Sequence, residues 1–281
     1  MLLAGKKLQL LMANAAYKVN MKRKLPLFCL IICMTIAFCT TNSCNKDTIS
    51  NSSTGNNSLG KGGSTARFII VGSYLYVVDQ QKLTTFSLEI PNMPKETSKI
   101  SVGFNMETIF SLGNKLLMGS QNAMYIYDIS TPATPIYLSS AMHLRACDPV
   151  VANENYAYVT IRSNITNTNS CGGNTNALLI YNISNLQQPD LLTTIPMANP
   201  HGLALHRTTL YICDALTGLN VFDLSRSFES PILVKEITND NDYVDCFTVD
   251  NYLYTTTTKG FIIYDISIPL DPIEVSKVMY N

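Results

Sequence analysis

From about residue 66 the chain alternates short apolar or β-branched runs with small polar residues, and the runs recur in fours. In the clearest stretch they are Glu107–Leu112, Lys115–Gly119, Met124–Ile129 and Ile136–Ser140. Alternation with a period of two predicts half-buried strands. Gly113-Asn114 joins the first two as a two-residue hairpin, in which a positive φ suits Gly and Asn. The second strand returns as LYVVD at Leu75, LLMGS at Leu116, AYVTI at Ala157, LYICD at Leu210 and LYTTT at Leu253, in steps of 41, 41, 53 and 43 residues.

A phrase that ends the third strand keeps the same period. It reads FSLEIPNMP from Phe86, YDISTPATP from Tyr127, YNISNLQQP from Tyr181, FDLSRSFESP from Phe222 and YDISIPLDP from Tyr264, in steps of 41, 54, 41 and 42 residues. Two anchors on one spacing, with four strands per unit, predict the blades of a β-propeller. Tyr127 and Ile129 fall on one face of the strand. Asp128 and Ser130 can then bond local backbone groups, and Pro132 and Pro135 direct the chain to the outermost strand. Five units fill residues 66–281, so the expected fold class is all-β, a propeller of about five four-stranded blades. No segment is left over to complete a blade by strand exchange. The first and last blades are therefore expected to close the ring by packing together, with an open ring or pairing with another chain as alternatives.

The phrase resembles the LVIVD repeat, a bacterial propeller-type repeat in which an aromatic or aliphatic residue is followed by Asp, Ile or Val, Ser and a Pro-x-x-Pro turn. Tyr127–Pro135 and Tyr264–Pro272 match best, while Asn182 and Ser87 stand in place of the Asp in two other units. The resemblance covers residues 66–281. It implies a propeller fold and an extracellular setting, and no particular reaction.

Ahead of the repeats the composition changes. Lys22-Arg23-Lys24 precedes a 14-residue apolar run, Leu25–Phe38, too short to span a bilayer comfortably. Thr41-Asn42-Ser43-Cys44 resembles the lipobox of bacterial lipoproteins, which implies lipidation at Cys44. Residues 1–43 are read as an N-terminal extension and signal peptide, with Met21 as the expected true start. Residues 44–65, rich in Asn, Ser and Gly, cannot bury a core and are read as a flexible tether. GNNSLGK within it, Gly55–Lys61, approaches a P-loop, but Gly62 replaces the magnesium-binding Ser or Thr and no strand precedes it. The expected address is an exported cell-envelope lipoprotein, held by its lipid at the outer membrane and facing the periplasm or the cell surface.

The formal net charge is zero, but all six basic residues before Cys44 lack acidic partners there. From Cys44 onward 14 basic and 20 acidic residues remain, a net charge of −6. Clustered Lys and Arg for a phosphate backbone are absent, so no nucleic-acid partner is expected. GxSxG, HExxH and a nucleotide fingerprint are missing too, and no catalytic residue or cofactor is assigned.

In a four-stranded blade, the entry to the first strand and the link between the second and third share one face. Glu107, Asp148, His201 and Asp245 should therefore ring the mouth of the central channel. Cys147, Cys171, Cys213 and Cys246 map to the same face, as does the insertion 164–176. The mouth residues are candidates for a small polar ligand. Three carboxylates with one imidazole could hold a divalent cation, although solvated loop ends would look the same in sequence and no metal is assigned. Outside the cytoplasm cysteines pair. Of three possible connectivities, Cys147–Cys171 is expected first and Cys213–Cys246, between neighbouring blades, second. The expected role is a non-catalytic binding or interaction module for a protein, glycan or small ligand. The alternative is a glycan-active hydrolase or lyase using Glu107, Asp148 and Asp245 as its carboxylates, which requires them within about 5–10 Å of one another.

Overall fold

The computed structural model describes residues 64–143, 149–163, 175–238 and 242–280. Cys44 and the segments before it, with Cys147, Asp148 and Cys171, lie outside the described residues. Among the described residues, twenty strands make five sheets of four, each an antiparallel meander in chain order. Blade 1 holds β1 (Phe68–Val71), β2 (Tyr74–Asp79), β3 (Lys82–Ser87) and β4 (Lys95–Ser101). Blade 2 holds β5 (Met106–Leu112), β6 (Lys115–Ser120), β7 (Ala123–Asp128) and β8 (Ile136–Met142). Blade 3 holds β9 (Val150–Ala152), β10 (Tyr156–Ile161), β11 (Ala177–Asn182) and β12 (Asp190–Pro196). Blade 4 holds β13 (Pro200–His206), β14 (Thr209–Asp214), β15 (Gly218–Asp223) and β16 (Ile232–Ile237). Blade 5 holds β17 (Tyr243–Val249), β18 (Tyr252–Thr257), β19 (Gly260–Asp265) and β20 (Ile273–Met279).

The repeated phrase does one local job five times. The strand-end side chain accepts the amide two residues on: Ser130 N to Asp128 at 2.6 Å, Ser184 N to Asn182 at 2.9 Å, Ser225 N to Asp223 at 2.8 Å and Ser267 N to Asp265 at 2.7 Å. Ser87 replaces the acid without losing the turn, accepting from Glu89 N at 3.3 Å. Such Asx and Ser turns end a strand by giving the next amide a side-chain acceptor. At Asp128 the bonds from Ser130, with Lys115 beside it, hold the carboxyl down at about 2. One residue before the opening aromatic of each phrase the ladder to the outermost strand slips, at Thr85/Phe86, Ile126/Tyr127, Ile180/Tyr181, Val221/Phe222 and Ile263/Tyr264. These bulges break the regularity of each outermost strand.

The hairpin between β5 and β6 differs in detail from the sequence expectation. Gly113 takes a left-handed φ of 55°, whereas Asn114 does not. The same first turn position is Gly72 in blade 1, and Arg207 and Asp250, both with positive φ, in blades 4 and 5.

Blades pack through buried apolar clusters. Tyr76, Val78 and Leu83 meet Ile109, Leu116 and Tyr127 between blades 1 and 2. Leu117 and Ile126 meet Val159 and Tyr181 between blades 2 and 3. Tyr158 and Ile180 meet Leu210 and Phe222 between blades 3 and 4, and Tyr211 and Val221 meet Leu253 and Tyr264 between blades 4 and 5. Tyrosine hydroxyls lace three of these contacts. Tyr76 donates to Pro132 O at 2.8 Å, Tyr158 to Phe228 O at 2.9 Å and Tyr211 to Pro269 O at 2.7 Å. Each acceptor lies in the phrase of the following blade, so the turn that ends one blade also anchors its predecessor.

Among the described residues no buried apolar cluster joins the first blade to the last, unlike the four consecutive interfaces. Blade 5 is tied to the lead-in of blade 1 by hydrogen bonds at the axis. Ser64 Oγ donates to Asp245 Oδ1 at 2.9 Å, and Thr65 donates to Oδ2 from its hydroxyl at 2.5 Å and its amide at 3.3 Å. Ser64 also accepts from Leu203 N of β13 at 2.7 Å, and Ala66 O accepts from Ile109 N of β5 at 2.9 Å. Three residues thus touch the innermost strands of blades 5, 4 and 2. Ser64 and Thr65, assigned to the tether from composition, belong to the fold.

Candidate functional site at the channel mouth

The innermost strands of blades 2, 4 and 5 carry bulges of their own where the chain enters them. Met106 pairs with Ser120 and Thr108 with Gly119, which leaves Glu107 out of the ladder. Pro200 pairs with Asp214 and Leu203 with Ile212, which leaves His201 and Gly202 out. A bulge re-aims the side chain of its extra residue. Glu107 and His201 thereby leave the ladder and stay half-buried, while apolar neighbours such as Met106 and Leu203 are fully buried.

The link between second and third strands reaches the same end of the blade, as expected. Gln121, on the link after β6, donates from Nε2 to Glu107 Oε1 at 3.3 Å, and its own Oε1 accepts from Asn105 at 2.9 Å. Asp214, fully buried where β14 ends, accepts from the amides of Asn199 at 2.8 Å, Leu216 at 2.9 Å and Thr217 at 3.1 Å. Its carboxylate is a structural clasp between that link and the entry to β13.

Two arginines complete the mouth. Arg162, at the end of the second strand of blade 3, places Nη1 2.9 Å from Nδ1 and 3.0 Å from Nε2 of His201. Burial, and then the adjoining Arg162 charge, lower the imidazole to about 4, against the pull of Asp214 and Asp242. His201 is therefore neutral at physiological pH. Glu107 feels both Arg67 and Arg162, yet burial outweighs them and its carboxyl is raised above the ordinary range. The mouth thus joins a carboxyl that resists ionisation, a neutral imidazole and two guanidinium groups. The arginines were missed because each is a lone charge beside a strand end, with no motif around it. Their positions, directly before β1 and directly after Ile161, were the available signal.

Asp245 behaves differently from Glu107. Both its oxygens are engaged by Ser64 and Thr65, and Oδ1 also accepts from Cys246 N at 2.9 Å. Burial raises its carboxyl despite these bonds. Among the described residues no group of three or more His, Cys, Asp or Glu stands where it could hold a metal ion. A separate cleft of about 460 Å³ lies between the outer parts of blades 3 and 4, lined by Ile195, Met197, Asn220, Phe222, Leu233 and Glu236. None of the mouth candidates reaches it.

Cys213 and Cys246 are both buried free thiols in the apolar cluster between blades 4 and 5. Burial, reinforced by Cys246, pushes the Cys213 thiol well up. Neither is bridged in the structure, so the second expected pairing is not formed there.

No curated protein matches the chain by sequence. Among solved structures, a protein of unknown function from Desulfotomaculum acetoxidans is 14% identical with a TM-score of 0.56, the match covering 74% of this chain and 68% of the other. Periplasmic gluconolactonase PpgL of Pseudomonas aeruginosa is 10% identical with a TM-score of 0.56, over 75% and 68%. AztD from Citrobacter koseri, in its apo form, is 13% identical with a TM-score of 0.52, over 70% and 56%, so the chain spans little more than half of that protein. These likenesses establish the fold. The LVIVD repeat model matches residues 62–85 and 247–280, its second segment running through Tyr264–Pro272. With that repeat at both ends of five meander blades, the chain carries LVIVD repeats on a β-propeller, consistent with an LVIVD-repeat propeller family.

Proposed function

We propose that the protein is a non-catalytic binding module of the cell envelope, exported and lipid-anchored through Cys44, which takes a small polar or glycan ligand at the channel mouth. The observation that carries the reading is the cluster of Glu107, Arg162 and His201, two of them set out of their ladders by bulges and all half-buried. Guanidinium groups beside a protonatable carboxyl and a neutral imidazole offer donors and acceptors together, which suits hydroxyl- or carboxylate-bearing ligands better than a bare cation. The glycan-active alternative requires two carboxylates free to act on substrate. Asp245 spends its oxygens on Ser64 and Thr65, and this favours binding over hydrolysis. The gluconolactonase shares the fold, and fold alone does not transfer its reaction.

The test is thermal unfolding of the full-length protein with neutral sugars, uronic acids and amino acids, alongside Arg162→Ala and Glu107→Gln. A ligand that raises the melting temperature of the wild type and loses its effect in both variants supports the reading. Consumption of that ligand would transfer the assignment to an enzyme. Absence of any ligand-dependent shift would remove the mouth as a binding site. Anchoring is tested separately by fatty-acid labelling of cells, with the label expected on the wild type and lost in Cys44→Ser.

A further inference from the structure

Each blade presents one side to its predecessor and the other to its successor. The second residue of the LYVVD-type strand faces the successor. Tyr76, Leu117, Tyr158 and Tyr211 are fully buried there, whereas Tyr254, at the same position in blade 5, is half-exposed. It stacks on Phe247 at 5.1 Å and leans on Phe261 at 5.9 Å, and its hydroxyl reaches no phrase carbonyl among the described residues. Its cross-strand partner Ile263 is also half-exposed, where the matching Val221 of blade 4 is fully buried.

The opposite side of blade 1 shows the complementary gap. The opening aromatic of the phrase faces the predecessor. Tyr127, Tyr181, Phe222 and Tyr264 are at most 4% exposed, but Phe86 is half-exposed. Leu75 is half-exposed where Leu116, Leu210 and Leu253 are fully buried, and Phe68 is 59% exposed. The chain therefore leaves one successor-facing side and one predecessor-facing side open, and these are the two halves of the contact it builds four times internally.

We propose that blade 5 of one molecule docks on blade 1 of a second copy, repeating the internal blade–blade contact between chains. A second copy is the indicated occupant because it carries the predecessor-facing surface that the repeat positions around Tyr254 are built to meet. Within one molecule Ser64 and Thr65 tie the lead-in of blade 1 to blade 5 by polar bonds at the axis, and among the described residues no buried apolar cluster joins the two blades. The contact is heterologous, so it closes into a ring of copies or continues as a row.

The natural cysteine pair supplies a template for the test. Cys213 aligns with Thr256 on the successor-facing side, and Cys246 aligns with Phe68 on the predecessor-facing side, by their cross-strand partners. Full-length chains carrying Phe68→Cys or Thr256→Cys are purified separately, mixed and mildly oxidised. The expected result is a disulfide-linked dimer in the mixture that neither chain forms alone, with light scattering showing a mass above one chain for the wild type. Phe261→Glu, at an already half-exposed position, is expected to lose the higher-mass species while keeping its β-sheet circular dichroism. A monomeric wild type would overturn the proposal. So would failure of the mixture to link while a single chain carrying both cysteines links internally, because the ring would then close on itself.

Discussion

Gly202 lies so close to Asp245 that a methyl group in its place would stand 2.0 Å from Oδ1 and 2.7 Å from the Asp245 Cα. The innermost strands of blades 4 and 5 can approach this tightly because the bulge residue of β13 has no side chain. Gly202→Ala must push the Asp245 carboxylate away from Ser64 and Thr65. A loss of about 1–3 kcal/mol is expected in denaturant unfolding, as for overpacked cores. Wild-type stability in this variant would mean that the Asp245 bonds contribute little to holding the lead-in.

The tyrosine laces provide an internal control. Tyr211→Phe removes the donor to Pro269 O and leaves that carbonyl near an apolar interface, at a cost of about 1 kcal/mol. Tyr254→Phe removes no such bond, and its stability should stay close to that of the wild type. Equal losses in the two variants would show that the hydroxyl is not what matters.

His201 sets a pH dependence. Its folded pKa, about 4, lies below the ordinary 6.5, so the unfolded chain binds the proton more readily between those values. Stability therefore rises with pH from about 4 to 6.5 and is fully present above that window. Part of the ring is solvent-accessible, which screens the charge and limits the contribution to on the order of 1–2 kcal/mol. Urea midpoints at pH 4.5 and 7.5 should differ less in His201→Gln than in the wild type. An unchanged difference would assign the acid sensitivity to other groups.

The adjacent thiols of Cys213 and Cys246 predict the redox form. Protein recovered from an oxidising compartment should yield a linked Cys213–Cys246 peptide in mass spectrometry. Reduced protein should resist alkylation of Cys213 until it is unfolded, since both burial and the raised thiol disfavour the reactive thiolate. Rapid labelling of both cysteines in folded, exported protein would contradict the bridge and the burial together.

What could be read from sequence was what the chain decides locally. The phrase from Tyr127 to Pro135 announced its strand end, its core pair and its turn because Asp128, Ser130 and the prolines act within a few residues of one another. Glu107 and His201 were assigned to the mouth by counting from the repeat, and the structure sets Arg162 against His201 with its charge felt at Glu107. The bulges that aim them left no signal, because a slip of one residue is decided by the partner strand. Ser64 and Thr65 were hidden in a run of small polar residues, and only Asp245, far away in sequence, gives them a role. Ring closure was inferred from unit counting, which says how many blades there are but not whether the end surfaces meet.

The meander order of the sheets has a kinetic consequence. Every ladder joins strands adjacent in sequence, and every packed blade interface joins consecutive units. Contacts of this kind close short loops, so their entropic cost is small and assembly can begin at any blade and spread to its neighbours. The bonds that Ser64 and Thr65 make to Asp245 and that Ser64 accepts from Leu203 are exceptions, bridging 181, 180 and 139 residues. They can form only after the blades between them are in place. Refolding should therefore recover sheet signal before the lead-in is protected from exchange, and that last step marks a completed array.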